Sequence, residues 1–315
     1  MKYFHRFAPL ISLAMFGLAL WILSREFGSL KLADVYRELA ALPTRTVVLA
    51  VAFAIGSYWS LTAYDLLGLR HVAKRAPYAK VASASFMSFA FSHNLGFALV
   101  TGSTMRFRIY SAYGLNALEI GQIVVLCVVI STFGFIAVAA AALLLLPDAV
   151  VAAAKVPEWM ARGLGATMIV LTAAYLGYAA LMHRPFKVGS VLLSLPRFDV
   201  TVGLIVVSAV DMALASAVLF VLLPEGTGLS YYAFMGLYVI AVVIGILTHV
   251  PGGLGVFESV ILLAMPGGTS EALVGALIMY RLIYFILPLA AALLLLTAHE
   301  IQVFRRPFRP PTSRE

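Results

Sequence analysis

Six charged side chains lie within or directly beside long apolar stretches of this 315-residue chain. They are three arginines and three carboxylates: Arg106, Arg108, Arg281, Asp65, Asp211 and Glu258. A charge inside a bilayer is costly, so such residues pair with one another or mark the path of a substrate or ion. A guanidinium group suits a phosphate, and a carboxylate suits an ammonium group or a proton. These six residues predict one of two things. They form either a binding site with positive and negative charges for a zwitterionic or cationic phospholipid headgroup, or ion pairs that only hold helices together.

Other polar side chains lie in or beside the same stretches. Asn94, Tyr110, His249 and Tyr284 complete the predicted substrate-binding set. A histidine in an apolar run is usually a hydrogen-bonded packing residue. Neither His93 nor His249 has a Cys or a carboxylate at metal-ligand spacing, so no metal is predicted.

Sequence motifs for enzymatic chemistry are missing. The string Gly252-Gly253-Leu254-Gly255 superficially resembles a phosphate-binding loop, but it follows no strand and lacks the Lys-Ser/Thr of such loops. We therefore expect no cofactor and no enzymatic activity in this chain.

The elements that position these residues are predicted to be membrane helices. Hydrophobic residues make up 63% of the chain and charged residues 11%, whereas a soluble domain has about a quarter of its residues charged. Runs long enough to cross a bilayer, about 20 residues, recur at Phe7–Ser24, Thr46–Tyr64, Val81–Met105, Glu119–Asp148, Gly163–Met182, Val200–Leu223, Gly226–Phe257 and Ala272–Thr297. The sequence predicts an all-α polytopic membrane protein.

Two of the runs contain residues that interrupt a helix. Val81–Met105 is rich in serine and includes His93-Asn94-Leu95-Gly96, and Tyr232–Pro266 is interrupted at Pro251-Gly252-Gly253-Leu254-Gly255. Non-helical backbone is tolerated at membrane depth only where protein or water shields it. Each run is therefore predicted to be a re-entrant or broken helical hairpin; the alternative is eight plain spans. The predicted break positions are Gly96, Gly102, Pro251, Gly252, Gly253 and Gly255.

The order of these segments predicts two inverted repeats within one domain, residues 1–300. Residues of about 1–146 and about 163–298 each form span, span, hairpin and span, with opposite orientation, as in secondary transporters. Most of the 22 Lys and Arg residues fall on the cytoplasmic side if both termini are cytoplasmic. This basic face suits anionic membrane lipids rather than nucleic acid. Residues 301–315 are predicted to be a disordered basic cytoplasmic tail.

The chain resembles a known family at several of these residues. The strings are Tyr64-Asp65, Asn94-Leu95-Gly96, Thr101-Gly102-Ser103-Thr104-Met105-Arg106-Phe107-Arg108-Ile109-Tyr110, Ser208 to Asp211, Thr248-His249-Val250-Pro251-Gly252-Gly253-Leu254-Gly255-Val256-Phe257-Glu258 and Tyr280-Arg281-Leu282-Ile283-Tyr284. They resemble the transmembrane flippase domain of the lysylphosphatidylglycerol synthases (MprF proteins) and the YbhN-like membrane proteins. The resemblance runs from about residue 8 to residue 300.

The resemblance implies movement of an aminoacylated phosphatidylglycerol, such as lysyl-phosphatidylglycerol, from the inner to the outer leaflet of a bacterial inner membrane. That activity supports resistance to cationic antimicrobial peptides. Full-length members of the family carry a separate aminoacyl-transferase domain, so a lysyltransferase role is implied only if the chain is part of a longer protein. Arg106 and Arg108 diverge by about 200° on a regular helix, so at most one of them is expected to point into the helix bundle. We expect Arg106 to bind the lipid phosphate and Arg108 to contact phosphates of the cytoplasmic leaflet.

Two other functions fit the same residues. One is a proton-coupled transporter of a small polar solute, which a closed aqueous pocket would favour. The other is a non-transporting membrane partner of a lipid-synthesis enzyme, which a packed interior with all charges paired would favour. Beyond the phospholipid substrate and anionic lipids, the expected partners are a second copy of the chain or a lipid synthase.

Overall fold

The computed structural model describes residues 42–95, 98–145, 157–181, 186–188, 191–193, 196–224, 226–248, 250–265 and 271–304. The first predicted span at Phe7–Ser24 lies outside these residues. So do most of the predicted basic tail and two site residues, Gly96 and His249.

Helices account for nearly all of the described chain. They are α1 (Thr44–His71), α2 (Tyr78–Leu95), α3 (Ala98–Tyr110), α4 (Ala117–Leu145), α5 (Glu158–Leu181), α6 (Phe198–Leu222), α7 (Tyr231–Leu247), α8 (Val256–Ala264), α9 (Glu271–Tyr280) and α10 (Leu287–Phe304), with a π-helix at Arg281–Ile286 between α9 and α10. Within the described residues, five stretches are long and apolar enough to cross a membrane: α1, α4, α5, α6 and the continuous Ala272–Ala298. The chain is a multi-pass α-helical membrane protein, as predicted. A short antiparallel hairpin, β1 (Phe186–Val188) with β2 (Val191–Leu193), lies between α5 and α6.

Each predicted interruption lies between two helices that pack against each other as a pair. Helix α2 ends at Leu95, α3 begins at Ala98, and the two pack against each other. Helix α3 has 13 residues, so it is about 20 Å long and too short for a hydrocarbon core of about 30 Å. Helices α7 and α8 form the second packed pair, and α8 has only 9 residues. We call these pairs the first hairpin (α2–α3) and the second hairpin (α7–α8).

Ion pairs bring three helix ends to the same end of the bundle. Arg70, at the end of α1, lies 2.8 Å from Asp199 at the start of α6. Lys74, just after α1, lies 3.4 Å from Glu119 at the start of α4. Helix α1 therefore ends at the level where α4 begins, although the whole first hairpin lies between them in sequence. The first hairpin thus enters and leaves at one end of the bundle, the arrangement expected of a re-entrant segment.

Glycines let neighbouring helices approach closely, as is common where small residues drive packing in membranes. A Cβ at Gly134 of α4 would lie 2.1 Å from the Cβ of Ser208 on α6. A Cβ at Gly236 of α7 would lie 2.6 Å from the Cβ of Ala142 on α4. Neither distance is sterically allowed, so only glycine permits this packing of α4 against α6 and α7.

The packing is similar in the two halves. Helix α1 packs extensively against α6, the second span of the other predicted repeat. Helix α2 packs against α10, while its predicted counterpart α7 packs against α4. This pattern fits the predicted inversion, although the relation between the repeats stays a prediction.

Candidate functional site

Asp65 and Arg106 form a buried, two-pronged ion pair between α1 and α3. The Nε of Arg106 donates to Oδ1 of Asp65 at 2.7 Å, and Nη2 donates to Oδ2 at 2.8 Å. The hydroxyl of Tyr110 donates to the same Oδ1 at 2.8 Å. Asp65 is 0% exposed and Arg106 is 3% exposed. A carboxylate with three donors, two of them on one guanidinium, is well satisfied despite its burial.

Helix α3 presents the groups of this site on one face. Gly102, Arg106 and Tyr110 are four residues apart and therefore lie one above another on the helix. A Cβ at Gly102 would lie 2.9 Å from Nη1 of Arg106, so the glycine makes room for the guanidinium group. Gly102 was predicted as a helix break; that prediction is wrong, because Gly102 lies inside α3. The ring of Phe89 on α2 lies beneath the guanidinium, 5.1 Å from its carbon.

Arg108 diverges from Arg106, as a regular helix requires. Its side chain is partly exposed and pairs with Glu300 near the end of α10. The prediction that only one of the two arginines points into the bundle is confirmed. The predicted contact of Arg108 with lipid phosphates stays a prediction.

Arg281 and Glu258 form an ion pair and bind backbone groups at the break of the second hairpin. The Nε of Arg281 donates to Oε1 of Glu258, and its Nη1 donates to the carbonyl oxygen of Gly252 at 2.7 Å. Oε2 of Glu258 accepts the backbone N–H of Gly255 at 2.8 Å, at the start of α8. The two side chains thus satisfy backbone groups that the interrupted helix leaves without partners.

The glycine-rich string interrupts the helix, as predicted, through left-handed backbone conformations. Gly252, Gly253 and Gly255 have φ angles of 61°, 62° and 76°, in the left-handed region that favours glycine. Pro251 begins the short 3-10 turn at the break. Gly96, predicted as a break of the first hairpin, lies outside the described residues.

The end of α2 contacts the break of the second hairpin. A Cβ at Gly252 would lie 3.3 Å from the carbonyl oxygen of Asn94 and 3.5 Å from that of His93. The side-chain amide of Asn94 donates to the carbonyl oxygens of Ala90 at 2.8 Å and Phe285 at 3.2 Å. The second bond reaches the π-helix, a distortion that is frequent at functional sites. The two hairpins therefore meet inside the bundle.

Asp211 lies at the contact between α1 and α6 and is 3% exposed. The hydroxyl of Ser57 donates to its Oδ1 at 2.5 Å. The Ser57 oxygen also lies 2.8 Å from the hydroxyl of Tyr284, and Tyr58 donates to the carbonyl oxygen of Tyr284 at 3.1 Å. Sequence reasoning identified Asp211 and Tyr284 but missed Ser57, because a serine in an apolar helix usually bonds to its own preceding turn.

An aromatic cluster joins Asp211 and its partners to the meeting point of the hairpins. The ring of His93 stacks on Tyr284 with centroids 6.0 Å apart and lies 5.9 Å from the ring of Tyr58. The Nδ1 atom of His93 is buried and has no hydrogen-bond partner among the described residues. His93 was expected to be a hydrogen-bonded packing residue; its ring packs, but this nitrogen is not bonded. His249 lies outside the described residues, so its role stays a prediction.

Comparisons with known proteins cover the whole of this site. Residues 9–292 match the family described as the lysylphosphatidylglycerol synthase TM region. An uncharacterized protein of Synechocystis sp. is 36% identical over 270 residues, which cover 85% of this chain and 84% of that protein. The inner membrane protein YbhN of Escherichia coli is 29% identical over 252 residues, or 78% of this chain and 77% of that protein.

A longer relative is similar over a third of its length. Phosphatidylglycerol lysyltransferase of Staphylococcus aureus is 23% identical over 288 residues, which cover 90% of this chain but 33% of that protein. With the family match extending over most of the chain, this protein belongs to the lysylphosphatidylglycerol synthase TM region family.

Proposed function

We propose that this chain moves a phospholipid with a charged headgroup from the inner to the outer leaflet of a bacterial inner membrane. Lysyl-phosphatidylglycerol is the first candidate, because the chain is similar to part of a phosphatidylglycerol lysyltransferase. The similarity to inner membrane protein YbhN supports the location. The similarity covers 33% of that lysyltransferase, and the proposal for the matched residues concerns lipid movement alone.

The observation that carries the proposal is the buried Asp65–Arg106 pair. A fork-shaped guanidinium matches two phosphate oxygens, and a carboxylate matches an ammonium group. A headgroup that carries both charges replaces one ion pair with two: its phosphate takes the place of Asp65 on Arg106, and its ammonium binds Asp65. Neither Asp65 nor Arg106 is then left without a partner of opposite charge, and an unpaired buried charge is the main cost of breaking such a pair in a low-dielectric interior.

The position of the pair supports the same proposal. Arg106 belongs to the first hairpin, whose partner helix α2 ends at the break of the second hairpin. Broken helices that meet at the interface of inverted repeats are the usual substrate sites of secondary transporters. A movement of the first hairpin relative to α1 would separate Asp65 from Arg106 and expose both to a headgroup.

A second candidate function is that of a membrane partner for a lipid-synthesis enzyme, with no transport of its own. The specific observation in its favour is that two of the three candidate carboxylates already have an ion-pair partner within the chain. Asp65 pairs with Arg106, and Glu258 pairs with Arg281. Asp211 does not fit this candidate, because a purely structural carboxylate at this depth is expected to have a cationic partner.

Reconstitution of the full chain into vesicles separates the two candidates. Lysyl-phosphatidylglycerol is incorporated, and its amine in the outer leaflet is measured over time with a membrane-impermeant amine-reactive reagent. We expect the protein to accelerate the reaction of the initially protected half of the lipid. A rate equal to that of protein-free vesicles for lysyl-phosphatidylglycerol and for labelled phosphatidylglycerol contradicts lipid movement and leaves the partner role.

A further inference from the structure

Four charged residues are buried in the part of the chain that the structure describes: Asp65, Arg106, Asp211 and Arg281. Three of them have an ion-pair partner. Asp211 has none among the described residues; its hydrogen-bond partner is the hydroxyl of Ser57. The predicted membrane helix α6 therefore carries an isolated acidic side chain in its middle.

The groups that face Asp211 are hydroxyls from several elements. Tyr58 and Tyr64 of α1, Tyr238 of α7 and Tyr284 of the π-helix lie within electrostatic reach of the carboxylate. None of the ion pairs among the described residues includes Asp211. A lone buried carboxylate with only neutral neighbours is unfavourable, and it is relieved by taking up a cation.

A proton is the cation that best fits the space around Asp211. Asp211 is 3% exposed and is enclosed where α1 packs against α6. The Ser57 oxygen lies 2.5 Å from Oδ1, which leaves no space on that side for an ammonium headgroup. A proton needs no space, and it converts the carboxylate into a neutral carboxylic acid.

Protonation of Asp211 would reverse a hydrogen-bond chain. With the carboxylate ionised, Ser57 donates its single hydrogen to Asp211, so Tyr284 must donate to Ser57. A carboxylic acid can instead donate to Ser57, whose hydrogen then turns towards Tyr284. Tyr284 lies three residues from Arg281, the side chain that holds the carbonyl of Gly252 at the second break. The protonation state is thereby linked to the element on which both hairpins meet.

We propose that Asp211 is a proton-binding site that couples lipid movement to a proton gradient. A proton from one aqueous side adds to the carboxylate, and the same proton leaves to the other side when the hairpins have moved. The coupling rests on the proposed function, whereas proton binding itself does not. A gradient of about one pH unit would bias the lipid distribution by about tenfold for one proton per lipid.

Infrared difference spectroscopy of the purified full chain tests proton binding without any lipid assay. Wild type should show a carboxylic acid C=O band that appears as the pH falls. The band should be missing in Asp211→Asn and shifted in Asp211→Glu. The control is Asp199→Asn, which removes an exposed carboxylate from the first turn of the same helix and should retain the band. A wild-type spectrum that matches Asp211→Asn at every pH overturns the proposal.

Vesicles with an imposed pH gradient test the coupling. The gradient should shift the leaflet distribution of lysyl-phosphatidylglycerol in wild type and in Asp199→Asn, but not in Asp211→Asn. A wild type that moves lipid with no response to the gradient overturns the coupling. If wild type moves no lipid at all, the proposed function fails, and the infrared band still decides whether Asp211 binds a proton.

Discussion

The side-chain amide of Asn94 donates a hydrogen bond to the carbonyl oxygen of Phe285 at 3.2 Å, across 191 residues of sequence. Asn94 lies at the end of the first helix of one hairpin, and Phe285 lies in the π-helix that begins at Arg281. A displacement of either element must break this bond or carry the other element with it. The bond therefore joins the two halves of the candidate site mechanically.

Replacing Asn94 with alanine should destabilise the protein by about 1 kcal/mol, because the Phe285 carbonyl loses a buried donor. Thermal unfolding in detergent measures the effect. The control is Ser83→Ala on the same helix, whose hydroxyl donates to the carbonyl oxygen of Ala79 in its own preceding turn. Equal unfolding temperatures for the two variants would show that the Asn94 bond contributes nothing.

Gly252→Ala tests the contact between the hairpins. Gly252 and Gly114 both have positive φ angles, 61° and 78°, so alanine at either costs about 1–2 kcal/mol in backbone strain. Only at Gly252 does the new Cβ meet another element, 3.3 Å from the carbonyl of Asn94; at Gly114 nothing lies within 4 Å. We expect Gly252→Ala to lower stability more than Gly114→Ala. The same loss in both would mean that the breaks do not depend on this contact.

Gly102→Ala should disturb the placement of Arg106, because the added Cβ would lie 2.9 Å from its Nη1. The guanidinium can shift, but it then leaves the two-pronged geometry on Asp65. We expect a larger loss of lipid movement than of stability. Gly121→Ala on α4 is the matched control, since nothing lies within 4 Å and alanine favours a helix by up to about 1 kcal/mol. Wild-type transport by Gly102→Ala would argue against the need for a fixed guanidinium.

Cysteine labelling tests the orientation. The single native cysteine, Cys127, is buried, so introduced cysteines report with little background. Ser313→Cys in the tail should resist an impermeant thiol reagent added to intact cells. Thr227→Cys, between α6 and α7, should react with it. The reverse pattern would place the basic face outside and contradict the predicted topology.

The sequence predicted the helices and both interruptions because these depend on local properties. Apolar length sets the spans, and Pro251 with its neighbouring glycines cannot continue a helix. The opposite directions of Arg106 and Arg108 follow from the helical repeat alone. These features are confirmed by α1, α3, α6 and the second break.

Pairing between distant residues could not be predicted in the same way. Asp65 and Arg106 are 41 residues apart, and either carboxylate or arginine could have paired elsewhere. Helices such as α4 and α6 are apolar on every side, so no amphipathic pattern indicates which face turns inward. For the same reason neither the role of Ser57 nor the π-helix after Tyr280 could be anticipated.

The central claim is that the guanidinium of Arg106 binds the lipid phosphate during translocation. Arg106→Lys retains the charge and a single contact with Asp65, but it loses the planar fork that matches two phosphate oxygens. Losing one charge-assisted hydrogen bond of about 1.5–3 kcal/mol lowers a rate by about tenfold to a hundredfold. Arg108→Lys, two residues further along α3, should cause a much smaller loss because Arg108 pairs with Glu300 outside the buried site.

The most direct measurement is the initial rate of lysyl-phosphatidylglycerol movement in vesicles that contain equal amounts of folded wild type, Arg106→Lys or Arg108→Lys. Our account predicts a rate at least about tenfold lower for Arg106→Lys per amount of folded protein. If Arg106→Lys moves the lipid at the wild-type rate, or if its loss only follows the loss of folded protein, Arg106 does not bind the phosphate.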